Sequence, residues 1–579
     1  MRGPVLLPAL VLALIAFAGC KKTGGDEEQK EGIKKDGKER TSLQSCGDLP
    51  DYGGVKSLSA PEGASPASGD VLVRRLPAEP GTLNPVLATD VYEQDVNYYV
   101  MEGLLDMDLD TGELKPLLAK SWEVSEDKLT FTYHLRKDVT FHDGHKMTAE
   151  DFIYTLDRIL DPKVDAPVLR SFFGDCESYK ALDDYTVRVK WEKPYFKALS
   201  TVGSVPVLPK HILDDGTDFN RHPFGRNPVG TGPYKFVKWD TGQRILVERY
   251  DDYWGEAPNV DGVYFKIITE DEVALRVLKK GELDLYLELN PTQWVRQTTS
   301  KSFLEKFNKI RYDYPTYNYI GWNLRKPLFQ DKRVRHALTM LLDRELIRKE
   351  VFKCQATVAN GPFYHKGPYA DPRIRPFPYD PEKARKLLSE AGWKDTDNDG
   401  TLDKDGKEFR FEMAFTSGVP TWEQMSNVYR QDLKKVGIDM EIRKMEWASF
   451  LEKVQDWKFD ACCMGWGLVS NPDPYQLWHS SQADQKGSSN HVGFKNEKVD
   501  ELIEKNRREF DRQKRIEYCR QIHRIIHEEQ PYTFCVVRKH LTAADKRFHN
   551  IVPHNYRPVF DFNEWYVPEE LQEHKSMPK

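Results

Sequence analysis

Strand–helix–strand units repeated along one chain constrain its fold more than any other feature, because parallel strands need a crossover connection and that crossover is right-handed. Residues 263–269 read as a strand, 271–280 as a helix stopped at Gly281, and 283–287 as a second strand. The unit recurs at 409–416, through a helix ending near Gly437, into the alternating Ile438, Met440 and Ile442. A helix at 447–455 and a strand at 459–464 follow. Asp380-Pro381 opens a further helix that Gly392 closes, burying Ala384, Leu387, Leu388 and Ala391. The pattern predicts an α/β protein with open parallel sheet and more than one lobe.

Earlier in the chain the rhythm is different. Leu129, Phe131, Tyr133 and Leu135 alternate as a half-buried strand, continued by Val139 and Phe141 to the turn His142-Asp143-Gly144. Thr148 then caps a helix with Asp151 at its third position, and Phe152, Ile153, Leu156, Ile159 and Leu160 form the apolar face. Tyr185, Val187, Val189 and Trp191 alternate as another strand. This part is expected to be mainly antiparallel sheet with attached helices.

At the N-terminus, Arg2 precedes an apolar stretch, 5–18, too short to span a bilayer comfortably. It ends Phe17-Ala18-Gly19-Cys20, which resembles a bacterial lipobox, with Phe17 where an aliphatic residue is usual. The reading is a signal peptide over 1–19 and a lipidated Cys20. Residues 20–68 are then a flexible tether, too poor in apolar side chains to offset their ordering entropy.

The 85 basic and 91 acidic side chains give a net charge of −6, which argues against nucleic acid as a partner. Thirteen Trp, 27 Tyr and 28 Phe suffice to line a ligand cleft as well as fill cores. Besides Cys20, the cysteines Cys46, Cys176, Cys354, Cys462, Cys463, Cys519 and Cys535 form no CxxC, and buried free thiols are the preferred reading. There is no Gly-x-Ser-x-Gly, His-Glu-x-x-His or Walker lysine, so neither an enzyme nor a cofactor is expected. His142 and His145 belong to a turn rather than a metal site, and Gly230-Thr231-Gly232-Pro233 to a tight turn. Asp395, Asp397, Asp399 and Asp403 imitate half of a calcium loop, but its closing position is Gly406. No metal is assigned there.

Open α/β sheets bind ligands beyond the carboxyl ends of their strands. For 459–464 that end is Gly465-Trp466-Gly467, followed by a loop at 468–474. Trp466 offers a flat apolar wall and Gly467 close backbone approach, so both are candidate ligand contacts.

Several segments, in this order, resemble the family 5 extracellular solute-binding proteins, the oligopeptide-, dipeptide- and nickel-binding class. They include Gly81-Thr82-Leu83-Asn84-Pro85, Glu102-Gly103-Leu104-Leu105, Leu118-Ala119-Lys120-Ser121-Trp122-Glu123 and Phe141-His142-Asp143-Gly144. Val229-Gly230-Thr231-Gly232-Pro233-Tyr234, Asp252-Tyr253-Trp254, Gly281-Glu282-Leu283-Asp284 and 331–338 continue the series, which spans about 71–568. The resemblance implies a type II periplasmic-binding-protein fold, two lobes built from three domains around a cleft. The first domain takes 69–105, 226–315 and 526–579; the second 106–225; the third 316–525. It implies a monomeric, lipid-anchored periplasmic or cell-envelope protein that captures a small peptide or other small solute and delivers it to an ABC permease.

The resemblance also suggests site residues. Peptide-binding members carry, three residues past the tryptophan matched by Trp466, an aspartate that pairs with the peptide's ammonium; here that residue is Val469. Either another acid substitutes, with Asp473 the candidate, or the ligand lacks a free amine there. Thr89 and Val91 match a segment whose backbone pairs with an extended peptide. Tyr319, Trp322, Trp478 and Asn490 are further ligand candidates. The alternatives are an oligosaccharide, nickel-complex or opine binder, a sensory ligand-binding module, and a secreted hydrolase.

Overall fold

All six residues of the strand Val71–Leu76 are buried, Arg74 and Arg75 included, and they have parallel neighbours on both sides. Gly262–Ile267 pairs along one edge and Leu285–Tyr286 along the other. The helix Asp271–Lys279 joins those two neighbours by crossing over the central strand, and buries Ala274, Leu275 and Leu278. That is the predicted strand–helix–strand unit, with an earlier strand inserted between its halves.

The computed structural model describes residues 66–469 and 471–573, with Cys46, 54–55 and 58–59 before them. The signal peptide, Cys20 and most of the tether lie outside the described residues. Residues 49–579 make one compact unit, to which everything below refers.

Its nine-stranded sheet runs in the order Gly54–Val55, Phe307–Asp313, Val536–Asp545, Leu285–Tyr286, Val71–Leu76, Gly262–Ile267, Arg244–Arg249, Tyr234–Asp240, and Ala356–Val358 pairs with Val536–Asp545 off this row. Val71–Leu76 and its two neighbours are parallel and most of the outer pairs antiparallel, apart from Gly54–Val55, which pairs parallel with Phe307–Asp313 at one edge, so the purely parallel sheet expected from the repeat units becomes a mixed one. A four-stranded antiparallel sheet takes Ala119–Val124, Thr130–Leu135, Thr186–Trp191 and Cys176–Asp183. The helix Ala149–Leu160 lies in the chain between Thr130–Leu135 and Cys176–Asp183, and Asp151 accepts the Thr148 amide at 2.8 Å in the predicted capping box.

A five-stranded sheet has the order Asp439–Met445, Arg410–Thr416, Ala461–Gly467, Thr316–Trp322, Tyr532–Phe534. Its first three strands are parallel and are linked by Pro420–Lys434 and Trp447–Gln455. The chain passes between the nine- and five-stranded sheets at Tyr314-Pro315, between Phe307–Asp313 and Thr316–Trp322. It passes again at Cys535, between Tyr532–Phe534 and Val536–Asp545.

Two turns read separately in the sequence are one feature in space. The Gly230 amide donates to His142 Nδ1 at 3.2 Å, so the ring proton sits on Nε2 and is donated to the Gly232 carbonyl at 2.9 Å. Burial lowers the His142 pKa to about 4, which keeps the ring neutral. A Cβ at Gly230 would lie 1.8 Å from the Val100 carbonyl oxygen, so only glycine fits.

Cys462, Cys463, Cys519 and Cys535 are buried free thiols and Cys176 is a half-buried one. Cys354 is disulfide-bonded, and so is Cys46, which precedes this unit, so free thiols are not found at either position. Among the described residues no helix is long and apolar enough to cross a membrane.

Candidate ligand-binding site

Strand ends of the two larger sheets open onto one cavity of about 770 Å³. From the nine-stranded sheet come Glu79 beyond Leu76, Thr269 and Asp271 beyond Ile267, and Glu288 beyond Tyr286. From the five-stranded sheet come Ser417 beyond Thr416, Trp447 beyond Met445, and the last residues of Ala461–Gly467. These are carboxyl ends, the side on which open α/β sheets hold ligands. The segment Arg557–Phe560 closes a further side.

The wall on the five-stranded side is aromatic. Trp466 lines the cavity, with Tyr319 stacked behind it at 6.5 Å and His491 at 6.0 Å; Tyr532 stacks on Tyr319 at 3.9 Å. Burial lowers the His491 pKa to about 4, so this stack carries no charge at neutral pH. A flat ring held from behind resists collapse when a ligand is absent.

The floor on the nine-stranded side is charged and paired. Arg74 reaches Asp95 at 3.1 Å, and the other Asp95 oxygen accepts from Arg557 at 3.0 Å. Arg75 meets Asp271 at 2.9 Å, the Ile268 and Thr269 carbonyls at 2.7 and 2.8 Å, and the Tyr286 hydroxyl at 2.7 Å. It therefore ties three strand ends together. Glu288 accepts from Arg538 at 3.0 Å, and His540 Nδ1 stands 3.7 Å away. Burial pushes the Glu288 carboxyl up, but Arg538 and His540 outweigh it and bring the pKa down to about 2. Burial lowers the His540 pKa to about 4.

Among the described residues one side-chain hydrogen bond crosses between the walls. The Trp447 indole N–H donates to Asp90 Oδ2 at 3.2 Å, and the Tyr92 ring meets Trp447 edge-on at 6.3 Å. Asp90 is the N-cap of Val91–Val100, with its Oδ1 accepting the Tyr92 and Glu93 amides.

The sequence candidates separate cleanly. Trp466, Gly467 and Val91 line the cavity. Trp466 and Gly467 belong to the strand itself, which runs three residues beyond its expected end at 464 because Thr316, Tyr317 and Asn318 pair with them. Thr89 is exposed outside the lining and donates its amide to Glu93. Tyr319 supports Trp466 from the core. Trp322 is core, donating its indole N–H to Thr533 at 3.1 Å. Trp478 packs on Tyr532 at 4.7 Å, fully buried. Asn490 is spent on a turn, donating to the Phe494 carbonyl and accepting the Phe494 amide, both at 2.9 Å.

Asp473 requires a correction. Its Oδ2 accepts from the Tyr195 hydroxyl at 2.8 Å and lies 3.2 Å from Arg507 Nε, while Oδ1 accepts the Tyr475 amide at 3.2 Å. The side chain is 1% exposed and outside the cavity lining, so it is not the acid that substitutes for Val469. Asp395, Asp397 and Asp403 do converge, but they are far in sequence from any cavity residue of this floor and turn to their own loop, accepting from Gly400, Asp399 and Thr396.

The floor residues Arg74, Arg75, Asp95, Glu288, Arg538 and Arg557 were not among the sequence candidates. A signal for some of them existed. Arg74-Arg75 interrupts an otherwise apolar strand, and Glu288 sits between Leu287 and Leu289 at a strand exit. Charges at such positions need partners or a cavity.

The model for bacterial extracellular solute-binding proteins, family 5 Middle, matches residues 113–488. An oligopeptide-binding protein of Bacillus subtilis, AppA, is 33% identical over 519 residues, covering 86% of this chain and 92% of its own length. The dipeptide-binding protein of Escherichia coli is 27% identical, covering 82% and 90%. Among solved structures, that of AppA in complex with a nonapeptide superposes with a TM-score of 0.82 at 32% identity, over 87% of this chain and 100% of that one. NikZ from Campylobacter jejuni in complex with Ni(L-His) gives 0.77 at 28%, over 86% and 99%. The fold is that of the type II periplasmic binding proteins, as expected from the sequence.

Proposed function

Because this chain belongs to the family 5 bacterial extracellular solute-binding proteins, we propose that it captures peptides in the cavity between its two larger sheets and delivers them to the permease of an ABC importer. The observation that carries this reading is the cavity itself. It is walled by strand ends from two sheets that are joined by two short connections, at Tyr314-Pro315 and Cys535. Two walls on short connections can separate to admit a ligand and close on it. Only the closed form touches the ligand from both sides, so binding stabilises that form and an importer can recognise it. The role needs no covalent step.

The three domains follow the sheets in this reading. The nine-stranded sheet belongs to the discontinuous first domain except for Gly54–Val55, which comes from the segment read as tether, and Ala356–Val358, which comes from the third; the four-stranded sheet belongs to 106–225 and the five-stranded sheet to the third. Since Tyr532–Phe534 pairs within the five-stranded sheet, the last boundary is drawn at Cys535 rather than 526. The protein acts as a monomer held at the membrane by lipid on Cys20. Membrane fractionation of cells tests the anchor: Cys20→Ser moves the protein to the soluble fraction, and an unchanged distribution rejects it.

Peptide capture is tested by thermal shift against peptides of two to nine residues, oligosaccharides and nickel–histidine. A ligand at a hundred times its Kd adds about 2.7 kcal/mol to native stability. A rise with peptides is expected. A rise with sugars or nickel–histidine alone overturns the peptide assignment.

A further inference from the structure

The carboxylates of the cavity floor differ in what they leave free. Both oxygens of Asp95 are taken, by Arg74 and Arg557. Asp271 gives one to Arg75 and the other to Asn290 at 3.2 Å. Glu79 accepts from Trp239 at 2.8 Å and from the Gly242 amide at 2.7 Å. Glu288 is unlike these three, and unlike the exposed Glu270 it is already held by an arginine. Arg538 and His540 both address Oε1, and among the described residues no donor is placed on Oε2. The side chain is 42% exposed, and as a lining residue it is exposed to the cavity. Arg538 likewise spends one Nη on Glu288, and among the described residues its Nε and other Nη have no acceptor.

A carboxylate oxygen and guanidinium N–H groups therefore stand side by side, both uncommitted, at the centre of the floor. The strand leading to Glu288 lies between Val71–Leu76 and Val536–Asp545, the latter carrying Arg538. Charge over the whole lining points the same way. Arg74, Arg75, Arg538, Lys539 and Arg557 stand against the carboxylates of Glu79, Asp95, Glu270, Asp271, Glu288 and Glu446, which leaves one excess negative charge for a single ligand cation to neutralise.

Resting on the peptide reading above, we propose that Glu288 and Arg538 together hold the amino terminus of the bound peptide. The α-ammonium donates to Glu288 Oε2, and the first peptide carbonyl accepts from the free N–H groups of Arg538. An α-ammonium is charged at neutral pH and cannot enter a closed cavity without a carboxylate. Its own carbonyl lies within two bonds' reach of the Cα, so one donor–acceptor pair reads both groups at once. A ligand lacking the ammonium leaves Oε2 unpaired in the closed cleft.

Calorimetric titration tests this with alanine peptides of two to nine residues, each C-terminally amidated and prepared with a free or an N-acetylated amino terminus. The wild type is expected to prefer free amines by roughly thirtyfold or more. In Glu288→Gln that preference falls to about onefold, because free amines lose their carboxylate and acetylated peptides no longer leave one unpaired. Glu288→Gln leaves Arg538 without its carboxylate, so the double variant Glu288→Gln/Arg538→Gln is measured as well. It removes both charges and loses the preference too. A wild type indifferent to acetylation, or a preference that survives in both variants, overturns the proposal and leaves peptide capture standing. Binding of no peptide of either series overturns peptide capture and this assignment together.

Discussion

Two places where sheets meet hold charged pairs, and they treat charge in opposite ways. At the first, Arg507 lies between the rings of Tyr195 and Tyr475, at 4.5 and 4.4 Å, with Asp473 3.2 Å from its Nε. The Phe196 amide donates to the Arg507 carbonyl at 2.9 Å, and the Arg515 guanidinium covers the Phe196 ring at 4.5 Å. Tyr195 and Phe196 follow the four-stranded sheet, whereas Asp473 and Arg507 follow the five-stranded one. Asp473 and Arg507 are 1% and 6% exposed. At the second place, the cavity, Glu288 and Arg538 are also paired but retain about 40% of their side-chain surface. One contact is sealed; the other keeps donors and acceptors in reserve. A closed pair stabilises an interface, and an open pair can recognise a ligand.

The comparison breaks if the sealed pair takes part in binding. Asp473→Ala leaves Arg507 buried without its carboxylate, which is expected to cost about 3–5 kcal/mol in urea unfolding. Replacing both charges with apolar side chains, Asp473→Leu with Arg507→Met, is expected to restore most of that loss, because the desolvation cost disappears with the pair. Ligand affinity of the folded fraction should stay within about a factor of two, as Asp473 lies outside the cavity lining. A normal urea midpoint with lost ligand affinity would return Asp473 to the binding site.

The same two places show what a sequence can reveal. The strand–helix–strand units, the caps at Thr148 and Asp380, and the glycine stops at Gly281 and Gly392 are local signals, and each appears where it was read. Trp466 was legible as a cavity residue because a general rule of sheet topology places ligands at strand ends. Asp473 misled because it was read as the acid standing in for Val469, while the Arg507 that captures it lies in the helix Glu497–Arg508 and the Tyr195 that covers it follows another sheet. The cavity floor was illegible for a related reason. Arg74, Glu288, Arg538 and Arg557 sit in four separate segments, and only the strand order brings them together. Pairing partners distant in sequence leave no periodic mark.

A smaller effect sharpens the contrast, because Trp447 and Asp90 form a contact intermediate between the sealed and the open kind. Trp447 opens the helix Trp447–Gln455 beneath its N-cap Glu446, so its position is fixed independently of any ligand. Asp90 is fixed too, since its Oδ1 holds the first turn of Val91–Val100, leaving Oδ2 for the indole. Both partners are thus in place before they meet, and their bond reports only whether the two walls are close. Trp447→Phe keeps the ring edge toward Tyr92 and removes the N–H, a loss of about 1 kcal/mol for one hydrogen bond. If the walls part to release the ligand, that loss falls on the closed form alone. Peptide dissociation should then quicken about fivefold in stopped-flow experiments, with the association rate unchanged. Equal slowing of association, with dissociation unchanged, would instead mean that the Trp447–Asp90 bond is already made in the transition state for closing, where it would guide the walls together and not hold them shut.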